Sequence, residues 1–231
     1  MMMKQTKEQI RHLLEKGFCA AFSQAAPEEI PVKAQLRDGL GVFSSSLPFT
    51  AAKSARTSPL SAARRILEQL EKNALFEEVK AQSGYLNFVP SALWYAAVME
   101  KTAEPVAFSP IYTEEDFALD AASPTDREVL TAFLRLCSRL RHLRFLGLSE
   151  GKVDSPSQFS DREKMLLFLF SRLAENTDSY PALTEGAQAV QEVLSQPLPE
   201  DPDEAKRLAH LLLWAGGQMK KAIPAQKIAK I

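Results

Sequence analysis

The chain has 231 residues, of which 45% are apolar and 25% charged, which is an ordinary composition for a globular protein with one or two domains. No window approaches the roughly 20 apolar residues that a membrane-spanning helix needs, and the first sixteen residues show an amphipathic pattern rather than the apolar stretch of a signal peptide. These features argue against membrane insertion and secretion, and they predict a cytoplasmic protein.

The net charge of −1 conceals a segregation of charge along the chain. Residues 30–72 hold seven Lys or Arg against three Asp or Glu, and residues 127–152 hold six against two. The intervening residues 102–126 hold six carboxylates and no Lys or Arg. Two basic patches are compatible with a polyanion touched at two places, and equally with solvated helix faces.

The first hundred residues mix helical and strand patterns. Gly39 and Gly41 predict a turn, and the second half of this region ends in an antiparallel strand pair. The predicted elements, in chain order, are a helix over 4–25, a strand over 31–36, a helix opened by Ser46 and Pro48, a helix from Ser58 to 72 with Leu60, Ala63, Leu67 and Leu70 buried, strands over 74–80 and 84–90, and a helix to 101.

The stretch SGYLNFVPS alternates as a half-buried strand does. Tyr85, Asn87 and Val89 fall on one face, and Leu86 and Phe88 fall on the other. One face is predicted to pack on the core, which leaves the other available to a ligand.

Beyond Lys101 the pattern changes, because prolines and acidic residues precede segments that are all helical. Helices are predicted over 125–147, 160–175, 181–195 and 202–222. The sequence therefore predicts an α+β domain with a small antiparallel sheet over residues 1–101, a connector over 102–124, and an all-α helical domain over 125–231.

No arrangement of residues indicates catalysis. Cys19 and Cys137 lie in apolar helical patterns, which predicts buried thiols rather than a disulfide or a metal site. The three histidines, His12, His142 and His210, lie on separate predicted helices without a partner at motif spacing. The adjacent carboxylates at 114–116 are expected to be solvated, so no catalytic residue, metal or cofactor is predicted. Trp94 and Trp214 are expected in the core.

Several segments resemble arginyl-tRNA synthetases. GVFSSSLPFTAAK, TSPLSAARRILEQL and SGYLNFVPSALW, in this order, resemble the N-terminal additional domain of that family. TAFLRLCSRLRHL looks like the first helix of its DALR-type anticodon-binding bundle, and KRLAHLLL is similar to the last. The matching positions in that first helix are Ala132, Arg135, Cys137, Ser138, Leu140 and Arg141.

The family carries a large catalytic domain with HIGH and, often, KMSKS-like motifs between these two regions. Here about 25 residues occupy that place and neither motif occurs, so the resemblance implies a relative that is not an enzyme, because adenylation needs those groups on the ATP phosphates.

The resemblance also implies a binding site for the D-loop at the tRNA elbow. It places Tyr85 as the base-stacking aromatic and Gln82 and Asn87 as amides reading a base edge, a common mode of single-strand RNA recognition. The alternative is that Tyr85 covers a small core and Asn87 satisfies a turn. The further residues assigned to RNA are Phe43 in the GxF segment and the phosphate contacts Lys53, Arg64 and Arg65.

Arg135 and Arg139 share a predicted helix face with His142, while Arg141 and Arg144 form a neighbouring stripe. Leu136, Leu140 and Leu143 form the core side of the helix. Arg135, Arg139 and Arg141 are predicted to contact RNA, with the anticodon stem as their target. The alternative is that these arginines pair with the acidic residues at 114–126.

The sequence thus predicts a non-catalytic, tRNA-binding or synthetase-associated protein that contacts neither membrane nor DNA. A protein-interaction module is the first alternative, docking on a synthetase or a second copy of itself, and net charge near zero favours it. An enzyme of unrelated chemistry is the second.

Overall fold

The computed structural model describes residues 2–37, 40–102, 110, 112, 117, 122–148, 159–175 and 180–223. The chain divides into two compact units, Met1–Ala97 and Val98–Ile231, and the division falls within a helix. The predicted limits of the domains, at 101 and 125, stay predictions, since most of the connector lies outside the described residues. None of the described helices is both long and apolar enough to cross a membrane.

The first unit is an α+β fold around one antiparallel sheet with strand order β1-β2-β4-β3. This fold class is the one predicted for the N-terminal region, so that prediction is confirmed. The elements are α1 (Met2–Phe22), β1 (Val32–Arg37), β2 (Leu40–Ser45), α2 (Leu47–Ser54), α3 (Pro59–Glu68), β3 (Phe76–Gln82), β4 (Tyr85–Pro90) and α4 (Ala92–Thr102), the last of which continues into the second unit.

Strand β2 was missed by the sequence analysis, which placed a turn around Gly39 and Gly41. Gly41 lies within β2, where it pairs with Leu36 of β1. The segment alternates in the strand manner, since Phe43 and Ser45 point to one face and Val42 and Ser44 to the other. Two neighbouring glycines hid this alternation, because glycine is more common in turns than in strand interiors.

The β3–β4 hairpin closes through a two-residue turn at Ser83 and Gly84. Both residues have positive φ, 49° and 81°, and the flanking pair is Gln82 with Tyr85. Two consecutive residues of this kind form the tight turn whose twist matches that of the paired strands. The predicted hairpin is confirmed.

One face of the sheet forms the core of the first unit. Phe43, Leu86 and Phe88 are fully buried there. Trp94 of α4 packs edge-on against Phe43, with ring centroids 5.8 Å apart, and its Nε1 donates to the Thr6 hydroxyl of α1 at 2.9 Å. Both Trp94 and, in the second unit, Trp214 are buried, as expected.

Helix α3 begins at the predicted cap, because the hydroxyl of Ser58 accepts a hydrogen bond from the amide of Ser61. The predicted buried stripe is right at Ala63 and wrong at Leu60, which is 37% exposed, because α3 buries Ala62 and Ile66 in its place. A Cβ built on Gly17 of α1 would lie 2.9 Å from Leu70 and 3.4 Å from Ile66. The absence of a side chain at Gly17 therefore allows a close approach to α1 that apolar periodicity alone does not show.

The second unit is helical, as predicted. It contains α5 (Pro124–Phe145), α6 (Asp161–Glu175), α7 (Tyr180–Ser195) and α8 (Pro202–Ala222), each within two residues of its predicted bounds. Leu136, Leu140 and Leu143 of α5 are buried as predicted. Glu163 accepts hydrogen bonds from Ser160 at the start of α6 and from Arg207 of α8 at 2.7 Å, which fixes these two helices together.

The two cysteines differ from each other. Cys137 is buried in the helical unit as predicted, but Cys19 is exposed on α1, so the prediction of a buried thiol there is wrong. Helix α1 buries its other side, through Leu14 and Phe18.

Candidate functional site

The second face of the sheet carries a polar row that crosses all four strands. The pairing register aligns Lys33 of β1 with Ser44 of β2, Ser44 with Asn87 of β4, and Asn87 with Lys80 of β3. The two lysines at the ends of the row are exposed, whereas Ser44 and Asn87 in its centre are 6% and 4% exposed. The row is thus a buried hydroxyl–amide pair with a cation at each edge of the sheet.

The amide of Asn87 is only partly satisfied. Its Oδ1 accepts a hydrogen bond from the Ser44 hydroxyl at 2.8 Å, while its Nδ2 is buried without a hydrogen-bond partner among the described residues. A buried donor left unpaired costs about 1–3 kcal/mol, so such groups are rare in stable folds and often mark a functional position. The sequence prediction that this whole face is open to a ligand is therefore wrong at Asn87, which lies on a central strand and is 4% exposed.

Tyr85 lies two residues before Asn87 on the same face and is half-buried. Its ring packs edge-on against Phe49 of α2, with centroids 4.9 Å apart. Gln82, its cross-strand neighbour, is exposed at the end of β3. The hairpin thus places an aromatic ring held by α2 beside an exposed amide, and both lie next to the polar row.

Phe43 does not belong to this surface. Its side chain is fully buried on the opposite face of the sheet, against Trp94. The assignment of Phe43 to RNA contact is wrong, because the alternation of β2 directs it into the core while its neighbour Ser44 faces the polar row.

The three cations predicted to contact phosphates have different environments. Arg65 donates from Nη2 to the carbonyl of Ala21 at 2.6 Å, and its guanidinium lies 4.4 Å from the centroid of the Phe22 ring. It therefore caps the C-terminal end of α1, where a cation is favoured by the helix dipole. Arg64 and Lys53 are exposed, and their role as phosphate contacts stays a prediction.

The helical unit has a groove of about 460 Å³ between α5 and α7. The sequence analysis had placed Arg135, Arg139 and His142 on one helix face, and all three line this groove. Its remaining lining comes from Ser138 of α5 and from Gln191, Leu194 and Ser195 of α7. Arg139 donates from Nη2 to the carbonyl of Leu194 at 3.2 Å, which links the two helices.

Arg141 has a different role from its two neighbours. Its Nη1 donates to the carbonyls of Pro110 and Tyr112, at 2.7 and 3.0 Å. It thus holds the chain before α5 against that helix, and it does so through backbone oxygens rather than carboxylates. The acidic residues at 114–116, expected to be solvated or paired with these arginines, lie outside the described residues.

Sequence reasoning missed Ser44, Lys33 and Lys80 in the sheet and Gln191 and Ser195 in the groove. The alternation in LGVFSS was the signal for Ser44, while Lys33 and Lys80 follow only from the strand register. The α7 residues needed the helix packing to be known. Within the described part of the chain, no three His, Cys, Asp or Glu side chains are grouped to hold a metal ion.

Two comparisons with known proteins found a match, and the family model matches within the first unit. A model of the family described as the arginyl tRNA synthetase N terminal domain matches residues 4–89. The solved arginyl-tRNA synthetase of Thermus thermophilus is similar at 19% identity, over 89% of this chain and 38% of its own, with a TM-score of 0.31. This chain thus spans 38% of the length of that synthetase. No curated protein matches it.

The match over residues 4–89 supports the predicted resemblance of this segment to the N-terminal domain of arginyl-tRNA synthetases. That stretch includes the hairpin, the polar row and the core beneath them. The likeness of α5 to the first helix of a DALR-type bundle stays a prediction.

Proposed function

We propose that this protein is a non-catalytic relative of arginyl-tRNA synthetases that binds the elbow of a tRNA through the polar face of its sheet. The observation that carries the proposal is the arrangement around β4. A half-buried Tyr85 ring, an unpaired Asn87 amide donor and an exposed Gln82 occur together, within a segment matched by the synthetase N-terminal domain.

These groups supply what an unpaired base requires. The ring offers a stacking surface, the amides offer hydrogen bonds for the base edge, and β4 holds them on a rigid central strand. Recognition of the base by Asn87 needs a side-chain movement, since its Nδ2 is buried. The gain in satisfying this donor favours that movement.

The lysines at the two ends of the polar row, Lys33 and Lys80, provide positive charge beside the proposed base site. Lys80 pairs with Glu78 at 2.7 Å, but both side chains are more than half exposed, so an RNA phosphate can replace the carboxylate at small cost. Arg64 and Lys53 are proposed as further phosphate contacts, and Arg135 and Arg139 as contacts to the anticodon stem.

The non-catalytic part of the proposal rests on the segment between the two regions of resemblance. About 25 residues cannot form a nucleotide-binding sheet with its helices, for which a single β-α-β unit already needs about 30. The chemistry of this site is therefore recognition, and no cofactor is proposed.

Substitution of Tyr85 tests the proposal. We expect Tyr85→Ala to weaken binding of bulk tRNA by about 1–3 kcal/mol, the usual contribution of one base stack, and Tyr85→Phe to weaken it far less, since stacking needs only the ring. Affinities measured by filter binding at two salt concentrations provide the test.

Val89→Ala is the matched control, because Val89 lies on the same strand and face, is half-buried like Tyr85, and has no ring. It should bind tRNA as the unsubstituted protein does, and circular dichroism checks that all three variants fold. Absence of tRNA binding at low salt, or equal binding by folded Tyr85→Ala, would replace this proposal with the protein-interaction module.

A further inference from the structure

The groove between α5 and α7 shows a second concentration of polar side chains, in the helical unit and apart from the sheet. Arg135, Ser138, Arg139 and His142 follow one another at spacings of three, one and three residues, so they share one face of α5. One face of α7 likewise contains Gln191, Leu194 and Ser195. Two helices thus present hydrogen-bonding groups to one concave space.

The charge of this groove favours an anion. Among the described residues, its lining contains two guanidinium groups and no carboxylate. The last carbonyls of α7 disfavour the binding of an anion, since a helix C-terminus carries about half a negative charge. Arg139 offsets that effect, because it donates to the Leu194 carbonyl. The exposed guanidinium of Arg135 and the exposed hydroxyl of Ser138 remain to receive a ligand, whereas the hydroxyl of Ser195 donates to the carbonyl of Glu192 at 2.7 Å.

We infer that this groove is a phosphate-binding site, in which Arg135 and Arg139 hold the oxygens of a phosphate mono- or diester and the amide of Gln191 faces the group attached to it. Guanidinium groups bind phosphate oxygens in pairs of parallel hydrogen bonds, which makes arginine suited to this role. The space of about 460 Å³ is larger than one phosphate needs. The ligand that we propose is a nucleotide, either separate or within an RNA chain.

Phosphate binding in the groove does not depend on the function proposed for the sheet. Only the idea that the phosphate belongs to an RNA chain rests on that proposed function. The two ideas also concern different units of the protein. They can fail separately, so the experiment uses a small anion first and an RNA second.

Sodium phosphate is the first probe, added to the full chain at constant ionic strength against sodium chloride. NMR resonances of the backbone amides of residues 135–142 and 191–195 should shift and reach saturation. Arg135→Gln should weaken this binding about tenfold, because it removes one charged partner. Arg144→Gln removes the same charge from an exposed position on α5 outside the groove, so it should bind phosphate as the unsubstituted protein does.

Adenosine monophosphate and a twelve-nucleotide single-stranded RNA are the second pair of probes. Tighter binding of the monophosphate identifies a separate nucleotide as the source, and tighter binding of the RNA, lost in Arg135→Gln, identifies an RNA backbone. Shifts that do not saturate, or equal losses in Arg135→Gln and Arg144→Gln, overturn the inference. If Tyr85→Ala still weakens tRNA binding in that case, the proposed function of the sheet stands without the groove.

Discussion

The two units assemble their polar sites in different ways. In the first unit, one residue from each of four strands contributes to a row, and hydrogen-bonded pairing fixes their order. In the second unit, residues from two helices face each other, and side-chain packing sets their separation. A strand register is nearly discrete, since a shift by one residue reverses every side chain, whereas helices can slide and rotate by small amounts.

This difference has a consequence for how each site responds to substitution. The sheet site should depend strongly on the backbone geometry of the hairpin that sets its register. The groove should depend on the contacts between α5 and α7, such as the hydrogen bond from Arg139 to Leu194. Changes at two glycines, at two adjacent arginines and at one histidine test this comparison.

The largest effect is expected at Gly84, in the turn of the hairpin. A Cβ added there would lie 2.7 Å from Pro59 Cβ and 2.9 Å from Phe49 Cζ, at a φ of +81°. We expect Gly84→Ala to lower the free energy of unfolding of the first unit by about 2–4 kcal/mol, through backbone strain and steric overlap together. Urea titration of protein labelled with 5-fluorotryptophan measures this free energy for each unit, because the fluorine signals of Trp94 and Trp214 report on separate units.

Gly147→Ala in the second unit is the matched control. Gly147 also has a positive φ, +71°, but no atom of the described residues lies within 4 Å of the added Cβ. Backbone strain alone should lower the free energy of unfolding of the second unit by about 1 kcal/mol, as measured at the Trp214 fluorine. Equal losses for the two variants would mean that the turn tolerates the added atom and that the register does not depend on Gly84.

A smaller effect is expected at Arg65, which the sequence analysis assigned to phosphate contact. Because Arg65 caps α1 and lies over Phe22, Arg65→Ala should lower the free energy of unfolding by about 0.5–1.5 kcal/mol. Arg64→Ala removes the same charge from an exposed side chain, so it should change the free energy of unfolding by no more than about 0.5 kcal/mol. Urea titration of both variants separates a structural role from a binding role.

The same two variants sharpen the comparison in tRNA binding. If Arg64 contacts a phosphate, Arg64→Ala should reduce the slope of log affinity against log salt by about one unit, and Arg65→Ala should leave it unchanged. A reduced slope with Arg65→Ala and unaltered stability would restore the original assignment of Arg65.

Helical periodicity predicted the second unit well, since its long amphipathic patterns leave few alternatives, and the structure adds the caps Ser123 of α5 and Asp201 of α8. The fold class of the first unit was predicted correctly, but β2 was missed, because Gly41 within it and Gly39 before it resemble turn residues. The buried face of α3 was predicted at Ala63 but not at Ile66, which approaches α1 at Gly17 and is buried while Leu60 is 37% exposed.

The candidate sites were predicted where neighbours in sequence are also neighbours in space. Tyr85, Asn87 and Gln82 lie within six residues, and Arg135, Arg139 and His142 lie on one helix face. Partners from distant segments, such as Ser44 and Gln191, depended on register and packing. The structural roles of Arg65 and Arg141 depend on acceptors 44 and about 30 residues away, which no local pattern shows.

The smallest effect concerns His210 of α8, whose Nε2 lies 3.0 Å from the hydroxyl of Thr102. Burial lowers the pKa of His210 below its ordinary value, and a hydrogen bond with Thr102 offsets part of this effect. A lowered pKa means that the unfolded chain binds a proton more readily than the folded protein does. The contribution to stability is therefore complete above the unfolded pKa of about 6.5 and is lost as the pH falls toward the folded pKa.

We expect this pH dependence in the second unit, which contains both His210 and Thr102. The measurement is a series of urea titrations between pH 7.5 and pH 5, followed at the Trp214 fluorine. The unsubstituted protein should lose more stability on acidification than His210→Gln does. The reason is that glutamine keeps a hydrogen-bonding group beside Thr102 but does not titrate. The difference between the two proteins cancels the contributions of their other titratable groups. His12→Gln is the control, since His12 is exposed on α1 of the first unit whereas Trp214 reports on the second, so the unfolding curve measured at Trp214 should match that of the unsubstituted protein. A stability difference between His210→Gln and the unsubstituted protein that does not vary with pH would show that His210 acts through its packing and not through its proton.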